Sequence, residues 1–339
     1  MDWSPQLPFQ AQNFMRYLTP GQQVGALFAL VFGFLLISTI TVFFLSLRER
    51  DGDAASVARH NELRHYGKLL NTTWLMVGVF WLGWAAGNTV ATILFALVAF
   101  LALREFITLS PTRRGDHRSL VLAFFVVLPI QFWLVATKHC DLFTVFIPVY
   151  VCLLIPVVSA LADDPQRFLE RNAKLQWGIM VCVYGMSHVP ALLLLNFKGY
   201  EGKNAFLVFF LVFVVQGGMV VQHLVTRHLA RPPSAPKISS TFNWRSWMIG
   251  LAVAGLAGGI FSPITPFKPA QAIAMALIAC VAGSLGHFVM KALKRDRGIT
   301  NWGSEGKSLT GANGLLDRVD SLCFAAPIFF HSVRWYFGV

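Results

Sequence analysis

Ten apolar runs follow one another through this chain with short polar breaks between them, and that succession leaves little choice of fold. A hydrocarbon layer offers no water to a peptide group, so each run of roughly 20 residues must satisfy its own backbone as a helix. The runs lie at 24–47, 71–86, 88–107, 119–137, 142–162, 175–196, 204–226, 246–263, 270–290 and 319–338. With 55% of the 339 residues hydrophobic and 13% charged, no stretch remains for a separate soluble domain. The expectation is therefore an all-α, polytopic integral membrane protein of about ten transmembrane helices. Residues 1–23 read as an N-terminal interfacial segment, and 24–339 as one transmembrane domain. No basic region with a small-residue cleavage site precedes Val24, so the first run is expected to be a retained anchor. The five cysteines include no Cys-x-x-Cys pair, which points to neither a disulfide framework nor a zinc site.

Basic residues set the expected orientation, because short cytoplasmic loops retain Lys and Arg. Of the 28, 22 lie at the far end of odd-numbered runs or in the breaks that follow them, leaving only Arg16, Lys138, Lys198, Lys203, Lys268 and Arg334 on the other side. This asymmetry predicts both termini on the non-cytoplasmic side. It also gathers most of the net charge of +12 on one face, where each cation beside an anionic leaflet contributes about 1 kcal/mol. Nucleic acid is excluded as a partner, since the aromatic residues belong to spans and span ends and not to an exposed basic patch. The 16 acidic residues lie at span ends or in loops, which argues against a transporter with a midplane carboxylate relay. The pairs Gly255/Gly259, Ala279/Gly283 and Ala282/Gly286 have the spacing that lets helices approach closely.

The densest polar message lies near the C-terminus. Lys291, Lys294 and Arg295 share one face if the ninth helix continues past Met290, and Asp317 and Asp320 stand one turn apart at the head of the tenth. Basic residues opposite paired carboxylates are what a magnesium-dependent phosphate site requires. The same residues also serve as positive-inside anchors and as acids complementing a helix dipole. His287 falls one turn before Lys291 on the same face, while His188 and His331 are expected to bond neighbouring helices. Lys138-His139-Cys140-Asp141 reads as a solvated loop, not a ligand set. Gly303-Ser-Glu-Gly-Lys-Ser308 lacks the first glycine of a phosphate-binding loop.

Lys294-Arg295 followed by Gly314-Leu-Leu-Asp317-Arg318-Val-Asp320-Ser321 resembles the signature of the phosphatidate cytidylyltransferases, or CDP-diacylglycerol synthases. Arg104-Glu-Phe to Arg114, Gln131 to Trp133, Gln176-Trp-Gly178, Val215-Gln216, Gln222 and Ala325 to Arg334 are similar to one bacterial branch, so the likeness covers roughly residues 60 to 339. The resemblance implies a multi-pass protein of the bacterial inner membrane. It also implies condensation of CTP with phosphatidic acid to give CDP-diacylglycerol and pyrophosphate, with Mg2+ held by Asp317 and Asp320. Lys291, Lys294, Arg295 and Arg318 would meet phosphate or nucleotide.

Several positions of the pattern are replaced. Met219 stands for a metal-binding carboxylate, Phe242 for a phosphate-binding lysine, and Arg245 for an acid. Thr300 and Asn301 replace a Lys-Asp pair, Ala312 replaces a histidine, and the loop over 302–313 is longer than the pattern. A thioether is no ligand for magnesium, and losing one positioned donor commonly costs about a hundred- to a thousandfold in rate. The expectation is a retained fold with catalysis lost or strongly reduced. Mg2+ and CTP belong to an active enzyme; without activity, no cofactor is expected. The partners are then membrane lipids, phosphatidic acid or another anionic phospholipid, and bundles of this kind admit a homodimer.

Overall fold

The computed structural model describes residues 19–47, 70, 74, 77–109, 113–197, 200–229, 232–299, 301–303 and 314–338. Thr300, Ala312 and residues 1–18 of the N-terminal segment lie outside the described residues. Helix α1 (Pro20–Leu47) starts four residues before the first apolar run, because Thr19-Pro-Gly-Gln22 closes a reciprocal cap. The Thr19 N–H donates to Gln22 Oε1 at 2.8 Å, the Gln22 N–H returns to Thr19 Oγ1 at 3.4 Å, and Pro20 occupies the first turn, where an N–H is not missed. Residues 20–23 thus belong to α1.

Helix α2 covers 77–85 and packs Phe80 and Trp84 onto Phe28 of α1. After Gly87, at φ 94°, come α3 (Asn88–Thr108), α4 (Arg114–Ala136), α5 (Cys140–Ala160), α6 (168–193), α7 (Ala205–Leu229), α8 (Trp244–Ile260), α9 (Pro269–Asp296) and α10 (Leu316–Phe337). Among the described residues no named strand occurs, only one isolated bridge between Ala235 and Ser239. Among the described residues six helices are long and apolar enough to cross a membrane: α1, α3, α4, α5, α7 and α9. The others differ for local reasons. α8 has 17 residues, α6 opens with a charged turn carrying Glu170, Arg171 and Lys174, and α10 opens with Asp317, Arg318 and Asp320.

Three neighbouring helices widen into π-turns, at Ala123–Val127 in α4, Phe146–Val151 in α5 and Ile179–Gly185 in α6. Pro129 and Pro148 remove N–H groups from the regular ladder of the first two, which favours the wider turn. Between them sits a buried polar group. Gln131 Nε2 donates to Phe143 O and Ser187 Oγ at 3.3 and 3.1 Å, and Tyr184 OH meets His331 Nε2 at 3.0 Å. His188 Nδ1 donates to Tyr184 O within its own helix, so of the two histidines only His331 makes the expected bond to another helix.

The small residues bring α9 close to α8 and, on its other faces, to α7 and α10. Gly258 makes the tightest α8–α9 approach, where a Cβ would lie 2.4 Å from Ala276 Cβ and 2.9 Å from Ala272 O. Gly255 and Gly259 face only the flexible side chains Leu277 and Ile273. Gly283 and Gly286 turn away from α8, toward Val215 of α7 and Phe324 of α10. This lets α9 lie close against α10 and places the two halves of the polar sequence in register.

Candidate phosphate site

The α9 helix runs through Met290 to Asp296, as the basic spacing requires, and α10 begins at Leu316. Lys294 Nζ donates to Asp317 Oδ1 at 2.6 Å, with both side chains largely shielded at 12% and 7% exposure. The second oxygen of Asp317 accepts from the Trp302 N–H at 2.8 Å and the Gly314 N–H at 3.3 Å. One carboxylate thus ties α9, the start of the α9–α10 loop and its end. Gly314 is required by close approach, since a Cβ there would stand 2.5 Å from Gly303 N and 2.7 Å from Glu105 Oε2.

Glu105 is the residue that sequence reasoning missed. Its Oε1 accepts from the Leu315 N–H at 2.9 Å and its Oε2 from the Leu316 N–H at 2.8 Å, so an acid from α3 caps α10 across 210 residues of chain. Free N–H groups at a helix start favour a carboxylate there. Phe106, its neighbour, stacks on the buried Trp302 with ring centroids 5.4 Å apart. Thus α3 pins both described ends of the loop. In the sequence Glu105 is one acid after a span-end arginine, and nothing in its spacing signals a partner so distant.

Asp320, 2% exposed at its side chain, accepts from His287 Nδ1 at 2.7 Å and from the Ser321 N–H at 2.6 Å. Ser321 Oγ accepts from Gln216 Nε2 of α7 at 2.9 Å. Lys291 is half-buried within electrostatic reach of both Asp320 and Lys294. Arg318 lies near Asp317, and its Nε is buried with no partner among the described residues. Arg295 is exposed. The structure therefore brings together Lys291, Lys294, Asp317, Arg318 and Asp320, with Arg295 on the outside.

The replaced positions divide. Phe242 is buried against Phe288, the residue after His287, with ring centroids 4.6 Å apart. Arg245 is exposed, its N–H held by the Asn243 side chain that caps α8. Met219 is half-buried against the core, and Asn301 precedes Trp302.

A magnesium ion takes oxygen ligands in near-octahedral geometry. Here all four oxygens of Asp317 and Asp320 accept from nitrogen donors. Among the described residues no group of three or more His, Cys, Asp or Glu could hold a metal. The residues as placed do not fit a magnesium ion.

Fold and site together define a polytopic, all-helical integral membrane protein with an acid–base cluster clamped at one pole. The chain belongs to the cytidylyltransferase family, whose model matches residues 68–336. It is 30% identical to the uncharacterized protein YnbB of Escherichia coli (strain K12) over 310 residues, covering 91% of this chain and 97% of that one. It is also 30% identical over 142 residues to the phosphatidate cytidylyltransferases of Brucella abortus (strain 2308) and Brucella suis biovar 1 (strain 1330). Those matches cover 41% of this chain and 51% of each enzyme, about half the length of those relatives.

Proposed function

We propose that this protein holds the phosphate of a phosphatidate-type lipid at the α9–α10 pole, on the cytoplasmic face of a bacterial inner membrane. Transfer of a cytidylyl group from CTP is lost or strongly reduced. Family membership and the partial likeness to phosphatidate cytidylyltransferases support the lipid. The observation that carries the reading is Asp317, whose two oxygens are used to clamp Lys294, Trp302 and Gly314. A carboxylate so engaged acts as a structural staple, and a triphosphate brought against a phosphatidate then lacks the metal that would stabilise its charge.

The test is lipid binding by the full chain in nanodiscs, read by native mass spectrometry. Phosphatidate retained over phosphatidylcholine, and weakened in Arg318→Gln, is the expected result; equal retention of the two lipids contradicts the reading. A second reading, a working phosphatidate cytidylyltransferase, is favoured by the retained Lys294, Asp317, Arg318 and Asp320. CDP-diacylglycerol formed from labelled CTP, and abolished in Asp320→Asn, would establish it.

A further inference from the structure

At this pole the positions beside both carboxylates, where a divalent ion would sit, are taken by the protein's own nitrogen groups. Lys294 holds Asp317 at 2.6 Å and His287 holds Asp320 at 2.7 Å. A metal would have to displace an ammonium group from one and an imidazole from the other. Both are tethered to α9, which lies against α10 through Gly286 and Phe324. The remaining basic groups point to a ligand. Lys291 is half-buried with no hydrogen bond or ion pair among the described residues, and Arg318 keeps a buried, unpartnered Nε. A buried donor left unpaired is costly, more so when charged, and phosphate oxygens accept strongly from ammonium and guanidinium groups. Asp317 and Asp320 are engaged by Lys294 and His287, and Glu105 by the start of α10, so the charges of Lys291 and Arg318 enter no ion pair among the described residues.

We propose that this pole binds a lipid phosphate monoester without any metal, Lys294 and His287 occupying the carboxylates while Lys291 and Arg318 supply the charge that meets the phosphate. This rests on the lipid-phosphate reading and adds the means of charge balance. It departs from what the resemblance implies, which is a carboxylate-held magnesium.

The experiment uses the full chain in phosphatidylcholine nanodiscs doped with phosphatidate, with binding measured in excess chelator and in excess magnesium. The expected result is the same affinity in both. Lys291→Gln weakens binding roughly tenfold in either condition, and Lys291→Arg restores most of it. Gel filtration and thermal unfolding of each variant separate lost binding from lost fold. Bound manganese, read by electron paramagnetic resonance and removed in Asp320→Asn, would overturn the inference, as would binding that disappears in chelator. Either result leaves the lipid reading standing. No preference for phosphatidate in either condition overturns the lipid reading itself. Inorganic phosphate forms a separate arm: if it binds the detergent-solubilised protein as tightly as phosphatidate, the ligand is the free anion and the lipid part fails.

Discussion

A buried carboxylate is stable only with its partners, so the Asp317 clamp is a sensitive point of the fold. Lys294→Met leaves that charge shielded and unpaired, and is expected to cost about 3–5 kcal/mol of stability. Asp317→Asn in the same chain should recover much of the loss, because the amide needs no cation. Thermal unfolding in detergent measures both, and an unchanged midpoint in Lys294→Met would show that the pair contributes nothing. His188 behaves oppositely. Its ring lies among Phe143, Tyr184, Phe330 and His331, while its Nε2 is buried without a partner among the described residues. Tyr184 O also accepts from Ser187 Oγ, so His188→Phe keeps the ring and removes an unpaired acceptor worth about 1–3 kcal/mol. The expected outcome is a raised unfolding midpoint; a large fall would mean that Nε2 has a water or ligand.

At the scale of elements, the sequence shows some features and hides others, for physical reasons. The continuation of α9 past Met290 and the one-turn spacing of Asp317 and Asp320 are local periodicities, and both are present. The Glu105 cap is a tertiary contact between helices far apart in sequence, and it leaves no periodic trace. The small-residue pairs mark close helix contacts but not which helix they meet, since α9 packs against α7, α8 and α10 alike. Gly258→Ala would push a methyl against Ala276 and the Ala272 carbonyl, and is expected to cost about 1–3 kcal/mol. Gly255→Ala, facing flexible Leu277, should cost less; comparing the two midpoints checks the assignment.

The α4–α6 ends are joined by a second cluster, where Arg171 Nε lies 2.9 Å from Asp116 and its Nη1 2.5 Å from Asp164. Burial alone would raise the Asp164 pKa, but the Gln166 N–H, Arg171 and Arg113 outweigh it and lower it. Lys174 first, then Arg167, lower that of Glu170. Depressed carboxylate values mean that these pairs stabilise the fold at neutral pH and lose their effect as pH falls below about 4. Unfolding midpoints recorded between neutral and acid pH should fall less steeply in Asp164→Asn than in the native chain.

For the whole molecule, charge and hydropathy act together. The described clusters at Asp317 and Arg171 both fall in breaks that follow odd-numbered runs, the breaks rich in Lys and Arg. If these breaks face the cytosol, a cysteine in place of exposed Asp296 or Lys237 will be modified by impermeant maleimide only from that side. One in place of Lys138 or Lys268 will be modified from the other. Any crossing of that pattern would overturn the arrangement of spans. The central claim is that the fold is kept while its carboxylates have been turned into staples. Its most direct test is the formation of CDP-diacylglycerol from labelled CTP by the purified chain in phosphatidate-containing proteoliposomes with magnesium. The account predicts no product above the background of an Asp320→Asn control, and turnover at about 1 per second or faster, within the usual enzymatic range, would contradict it.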